Sequence, residues 1–340
     1  MGDPGQYESR EFVLACPFQI IVTEGGVLLR RGNEELCVSG THALEMTIRL
    51  LTYCSDKPAC LDDILHIEDP DTKSDLRELV GQLLAKRFLM SGSKEMLNSS
   101  GQRLSENTFC WQHNIDPLLF ENGLRCRDIY VWGRNKLSER IVTALRNQEI
   151  GSAKEICLVD SEALEQEDYR LPDNLKSIPE KDMHLHENDL CIAASPFGGL
   201  NPLVEINRKA FAAKAHFIPV IIDREQITIG PLGISGVSAC MACVQKRREG
   251  HMADTFLEQL SDNYALEGQS VRVLHDSYLS LTAELLALEL IKYLGLRTEE
   301  MRDYMLSLDP IGGQMTKHRV LPFPGCELCA PDTGSFVDSI

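Results

Sequence analysis

The chain has 340 residues, of which 43% are hydrophobic and 25% charged, and carries a formal charge of −17 at pH 7. That length supports two domains with their own cores, while the acidic balance argues against nucleic acid and anionic membrane surfaces as partners, since both require a basic face. No apolar run approaches the ~20 residues that span a bilayer, MGDPGQYESREF lacks the basic and apolar regions of a signal peptide, and twelve cysteines without a disulfide framework fit the reducing cytoplasm.

Residues 1–90 read as a small α+β domain. FVLACPFQIIV, GGVLLRR and ELCVSG are short β-branched-rich runs separated by turn residues, the pattern of one small antiparallel sheet. Three helices follow: one with Leu44, Ile48 and Leu51 on one face, a short one in CLDDILHI, and a third over about 72–86 with Leu76, Leu79, Val80, Leu83 and Leu84 at helical spacing. FLMSG returns as a strand. The set reads as winged-helix-like, a shape often used on DNA. Here the third helix carries Asp75 and Glu78 beside Lys73 and Arg77, and the acidic HIEDPD precedes it, where a DNA reader would meet phosphates. Two readings stay open. The module is a structural cap, or its sheet edge at Glu35, Leu36, Cys37 and Val38 takes an extended peptide as an added strand, with Arg77, Val80 and Leu84 of the third helix walling the groove.

Residues 91–108, SGSKEMLNSSGQRLSENT, have linker composition. From 109 to 340 strands alternate with helices, which predicts a mostly parallel sheet covered on both faces. A strand at Asp128–Trp132, a helix at Lys136–Arg146 and a strand ending in Asp160 make the first unit of a dinucleotide-type fold. The glycine fingerprint fails there. Gly133 is present, but Asn135 and Ser138 stand where further glycines would let backbone approach a pyrophosphate, so no ATP site is expected. Strands follow at 189–195, 216–223 and 226–232, with a helix at about 203–214. A long helix over about 273–294 places Leu274, Leu281, Leu285, Leu288 and Ile291 at core spacing. No catalytic triad emerges. His184 and His186 read as solvated loop residues, Asp160 and Asp223 as strand-end carboxylates capping turns, and Lys246, Arg247 and Arg248 as a solvated basic face.

Two Cys-x-x-Cys pairs stand out in this second half. Cys240 and Cys243 close GPLGISGVSACMAC, and Cys326 and Cys329 lie in PFPGCELCAP, where prolines and Gly325 force a knuckle-like turn. Two thiolates per turn and two such turns supply the four soft ligands of a tetrahedral structural Zn²⁺, with no position left open for water. More than eighty residues separate the pairs (243 to 326), so the ion would staple distant parts of one domain. Buried or redox cysteines are the alternative; that description suits the eight scattered ones, Cys16, Cys37, Cys54, Cys60, Cys110, Cys126, Cys157 and Cys191.

Through GPLGISGVSACMACVQKRR and PFPGCELC, together with the degenerate dinucleotide-type start, the chain resembles the ThiF-like, ubiquitin-activating-enzyme-related components of azoline-forming peptide cyclodehydratases. The resemblance covers about residues 110–335, and the N-terminal residues resemble the leader-recognition module such proteins carry. It implies a degenerate Rossmann-like ThiF-type domain with a structural zinc site, preceded by a winged-helix-like domain. It also implies a non-catalytic subunit that binds the leader of a ribosomally made precursor, while a YcaO-type partner spends ATP to cyclise Cys, Ser or Thr. A homodimer is compatible with the chain. The alternatives are a ThiF-type adenylating enzyme acting on a peptide and a metal-dependent winged-helix regulator, the latter opposed by the charge.

Overall fold

A computed structural model describes residues 11–329 apart from 33, 41, 56, 67–69, 95–96, 98–108, 111, 114, 153–155, 165–168, 224 and 252–273. The chain divides into two compact units, Met1–Phe120 and Glu121–Ile340. Most of the expected linker, 98–108, lies outside the described residues. The first unit runs past position 109, where the sequence places the second domain, because Phe109 stacks on Phe120 and Gln112 lies beside Gly32. Among the described residues no helix is long and apolar enough to cross a membrane.

In the first unit the expected single sheet is two sheets. Strand β1 (Phe12–Ala15) lies between β5 (Ala59–Cys60) and β6 (Leu89–Gly92). Strands β2 (Gln19–Thr23), β3 (Gly26–Arg31) and β4 (Glu34–Ser39) form a separate antiparallel meander in the order β2-β3-β4. The break falls at Pro17, which has no N–H to continue a ladder; the Cys16 N–H bonds to Phe88 O just before it. At the β2–β3 turn, a Cβ on Gly26 would sit 2.1 Å from Val38 O, so only glycine lets β4 close on β3. Helices α1 (Ala43–Cys54), α2 (Leu61–His66) and α3 (Pro70–Ala85) complete the unit. On α3 the predicted stripe is real: Leu76, Leu79, Val80 and Leu83 are buried with Val13, Val27, Leu29, Leu50 and Phe88. Strand β6 is the expected return at FLMSG, and it includes Ser91 and Gly92 at the start of the expected linker.

The second unit is built on one sheet of eight strands. After α4 (Pro117–Leu124), which spans the boundary, come β7 (Ile129–Trp132), α5 (Lys136–Asn147), β8 (Cys157–Asp160), β9 (Ser177–Pro179), β10 (Leu190–Ser195), α6 (Asn201–Ala212), β11 (His216–Asp223) and β12 (Gln226–Ile229). Then follow α7 (Met241–His251), α8 (Asp276–Leu290), α9 (Glu300–Asp303), β13 (Tyr304–Asp309) and β14 (Gln314–Arg319). Their spatial order is β14-β13-β12-β11-β10-β7-β8-β9. The five strands from β11 to β9 are parallel, and β12, β13 and β14 are added antiparallel. Strand β10 is buried along its whole length, as a strand covered on both faces must be.

The long helix departs from its expected face. It starts at Asp276, where the His275 ring accepts from the Ser277 N–H, and ends in a π-helical turn at Ile291–Gly295. Leu279, Ala283, Leu286, Ala287 and Leu290 are buried, with α5 packed closely against the helix, whereas Leu281 and Leu288 are exposed. Large apolar residues ring the helix, so periodicity alone cannot choose a side; small Ala283 and Ala287 set it by admitting α5.

Candidate functional site

Three places in these units carry the chemistry expected from the sequence: the four paired cysteines, the turn into α5, and the edge of β4.

Cys240 immediately precedes α7 and Cys243 lies in its first turn; Cys326 and Cys329 lie in the turns after Phe323. All four are buried, and their Sγ atoms lie within 4.8 Å of one another. The Sγ–Sγ distances are 3.5 Å for Cys240–Cys326, 3.2 Å for Cys243–Cys329 and 3.7 Å for Cys240–Cys243. Disulfide sulfurs would be ~2 Å apart, whereas thiolates around one tetrahedral ion with ~2.3 Å bonds stand roughly 3.8 Å from each other. The donor set is closed and can hold a metal ion such as zinc. The hydrogen bond between the two thiols draws the Cys243 pKa down and raises that of Cys240, and Phe323 adds to the lowering by donating its N–H to Cys243 Sγ at 3.1 Å. Burial pushes Cys329 up to about 12.

The walls explain why distant cysteines meet. Buried Asn207 of α6 accepts the Met241 N–H at 2.8 Å, fixing the start of α7 on the core. Arg247 reaches from α7 to Leu321 O (3.0 Å) and Pro322 O (3.3 Å), and Lys246 lies over the Phe323 ring. The expected solvated basic face is thus largely occupied in clasping the segment that delivers Cys326 and Cys329, and Arg248 pairs with Asp223. Sequence reasoning missed this role; nothing in a basic triplet announces carbonyls seventy-odd residues away.

At the head of α5 the missing glycine is replaced by a working part. Asn135 is wholly buried and its Oδ1 accepts from the N–H and Oγ of Ser138, capping the helix. Its Nδ2 donates to Leu164 O at 2.9 Å and Ala194 O at 3.0 Å, bridging the ends of neighbouring segments. A Cβ on Gly133 (φ +111°) would lie 2.7 Å from that Nδ2, so the remaining glycine is required by the asparagine. One N-terminal amide of α5, that of Ser138, is thus bonded to the chain's own side chain. An open cleft of about 880 Å³ lies nearby, lined by Asp160, Lys181, Asn201, Lys209 and Gln245 among others. Among the described residues Asp160 Oδ1 has no hydrogen-bond partner. His184 and His186 are exposed, and neither joins a metal-ligating cluster among the described residues.

In the first unit a groove of about 430 Å³ runs between β4 and α3, lined by Cys37, Val38 and Ser39, by Ala43 and Met46 of α1, and by Asp75, Glu78, Leu79 and Gln82 of α3. Strand β4 pairs with β3 on one side and, among the described residues, with nothing on the other. The seven expected groove residues divide. Cys37 and Val38 line it. Glu35 is paired with Arg30 (2.7 Å), Leu36 packs on the core, and on α3 Val80 is core and Leu84 packs against it. Arg77 is exposed outside the lining. The α3 face was misassigned because Val80 and Leu84 belong to the stripe that holds the helix down, so the groove takes the flanking residues Asp75, Glu78 and Gln82.

No family model matches the chain, and no curated protein does. Solved structures match it. The heterocyclase TruD superposes with a TM-score of 0.66 at 16% identity over 94% of this chain and 43% of TruD, so the chain spans less than half of that protein. E. coli MccB superposes at 0.63 with 15% identity, over 95% of this chain and 97% of MccB. MccB with SeMet MccA matches at 0.63 and 15%, over 94% of this chain and 100% of that one. The chain therefore shares its fold with the heterocyclase TruD and E. coli MccB.

Proposed function

We propose that the protein is a non-catalytic, precursor-binding subunit of a peptide-modifying complex: it captures the leader of a ribosomally made peptide and presents it to a YcaO-type partner that forms azoline rings. The observation that carries this reading is the groove beside the unpaired edge of β4, where an extended segment can add a strand and set alternate side chains against Val38, Met46 and Leu79. We read the first unit as a winged-helix-like recognition domain. We read the second as a degenerate dinucleotide-type domain, supported by the strand order β9-β8-β7-β10-β11, which has the doubly wound order with its reversal between β7 and β10. The four thiolates hold a structural zinc in this account, and the remaining free cysteines fit a reducing cytoplasm. Solved neighbours include MccB with SeMet MccA and a heterocyclase with substrate and cofactor, which supports a peptide partner.

A second reading is a ThiF-type adenylating enzyme. It is favoured by Asp160 Oδ1, which has no hydrogen-bond partner among the described residues, in the cleft at the end of β8, and by the likeness to MccB with ATP (TM-score 0.61, 16% identity, over 94% of this chain and 99% of that one). Asn135 opposes it by occupying the phosphate end of the turn. ATP–pyrophosphate exchange, measured with a candidate precursor peptide, separates the two. Peptide binding without exchange supports the subunit; exchange above background supports the enzyme.

A further inference from the structure

The groove beside β4 has an electrostatic character that its apolar floor does not dictate. Asp75 and Glu78 stand one helical turn apart on the same face of α3 and both line the groove. Glu78 Oε1 accepts a hydrogen bond from Gln82 Nε2 at 3.1 Å, and among the described residues neither carboxylate has a cationic partner. Among the described residues no lysine or arginine lines the groove; His42, which does, lies 3.6 Å from Glu45. The opposite wall is neutral: Cys37, Val38 and Ser39 from the strand, with Ala43 and Met46 beneath. A segment paired to β4 would point alternate side chains into this space, between a hydrogen-bonding edge and two like charges.

We propose that the groove selects a cationic segment: an extended stretch of the precursor with apolar residues at alternate positions and a lysine or arginine set against Asp75 and Glu78. This rests on the leader-binding reading and adds the chemistry of what is read. Charge complementarity identifies the occupant. Two close carboxylates repel each other and gain most from one shared cation, which an arginine fork or a lysine ammonium supplies and a neutral or acidic segment cannot. An acidic segment would place a third negative charge in the groove of a chain already at −17. The partly exposed setting limits the gain and makes it sensitive to salt.

A random peptide library panned against the full-length chain tests this, with the recovered peptides then titrated on three proteins: the natural one, D75N/E78Q and C37W. Cys37 is exposed and lines the groove, so C37W places a bulky side chain at the docking edge of β4 from a surface position. Melting curves confirm that each variant is folded. The expected result is enrichment of lysine or arginine between apolar residues, binding weakened roughly fivefold by D75N/E78Q in low salt, and binding lost in C37W. Peptides that lose binding in C37W, yet show no basic enrichment and no response to D75N/E78Q, overturn the charge selection while leaving the groove in place. Peptides that bind C37W as well as the natural chain, or a failure to recover any, overturn the groove reading and the selection with it.

Discussion

Two helix starts in the second unit have opposite fates. At α5, buried Asn135 caps the helix by accepting the Ser138 N–H and bridges to Leu164 O and Ala194 O. At α7, Cys240 and Cys243 bring thiols to the helix start and meet Cys326 and Cys329 from far along the chain. Both starts have the same unsatisfied amides and the same positive end of a helix dipole. What separates them is the side chain each offers: a neutral amide that accepts the Ser138 N–H, or sulfurs that can take a cation. The eight-stranded sheet thus carries one helix start capped by the chain's own side chain and one whose four buried sulfurs can hold a metal ion.

The largest expected effect tests the α7 side. Cys326→Ser, or exhaustive chelation of the natural chain, removes the cooperative unfolding of Glu121–Ile340 in a calorimetric scan, because binding energy in such sites, on the order of 10 kcal/mol, is folding energy. A transition unchanged after chelation would show that the sulfurs are simply buried. The α5 side is next. Asn135→Ala removes a cap and strands two carbonyls and a hydroxyl, and is expected to cost about 3 kcal/mol in chemical denaturation without creating ATP binding. Tight ATP binding by that variant would mean that the asparagine alone was masking a working site.

Acid sensitivity sharpens the comparison, since thiolates release metal as pH falls and the sheet has a second acid-sensitive point. At the start of β11, burial, with Arg127 and Arg302 nearby, holds His216 down at about 4, and its Nδ1 lies 2.9 Å from the Tyr293 hydroxyl. The unfolded chain takes up this proton first, near 6.5. Stability from neutral His216 is therefore complete above that pH and is lost as pH falls toward 4, by roughly 2–3 kcal/mol in all. Comparing His216→Gln with the natural chain between pH 4 and 6.5 isolates this part: the variant should show a flatter decline, and an identical decline would assign the whole effect to the cysteines. The smallest effect belongs to Arg247→Met, which removes two bonds to the 321–322 carbonyls at a cost of about 1 kcal/mol. It is read as faster metal loss to a chromogenic chelator; an unchanged rate would show that the knuckle holds itself.

The sequence discloses these features unevenly. Cys-x-x-Cys spacing carries its own geometry, so the four-sulfur cluster was legible although its halves are far apart. The β7–α5–β8 unit was legible from its pattern, and the failed glycine fingerprint was visible; that Asn135 actively fills the vacated place follows from its position before a helix, a cap signal that went unused. The β13–β14 hairpin was not anticipated, because β14 is exposed along both faces and so lacks any alternation. The face of α8 and the groove side of α3 were misjudged for one reason: large apolar residues mark what holds a helix down, while Ala283 and Ala287, or Asp75 and Glu78, mark what it meets or offers. Arg247's hold on the knuckle depends on a contact that no local pattern contains.

Native mass spectrometry of the full chain in the presence of magnesium and ATP weighs both helix starts at once. The account predicts one zinc per chain, retained until the protein unfolds, and no nucleotide adduct. A metal-free folded chain, or a stoichiometric complex with ATP, would contradict it.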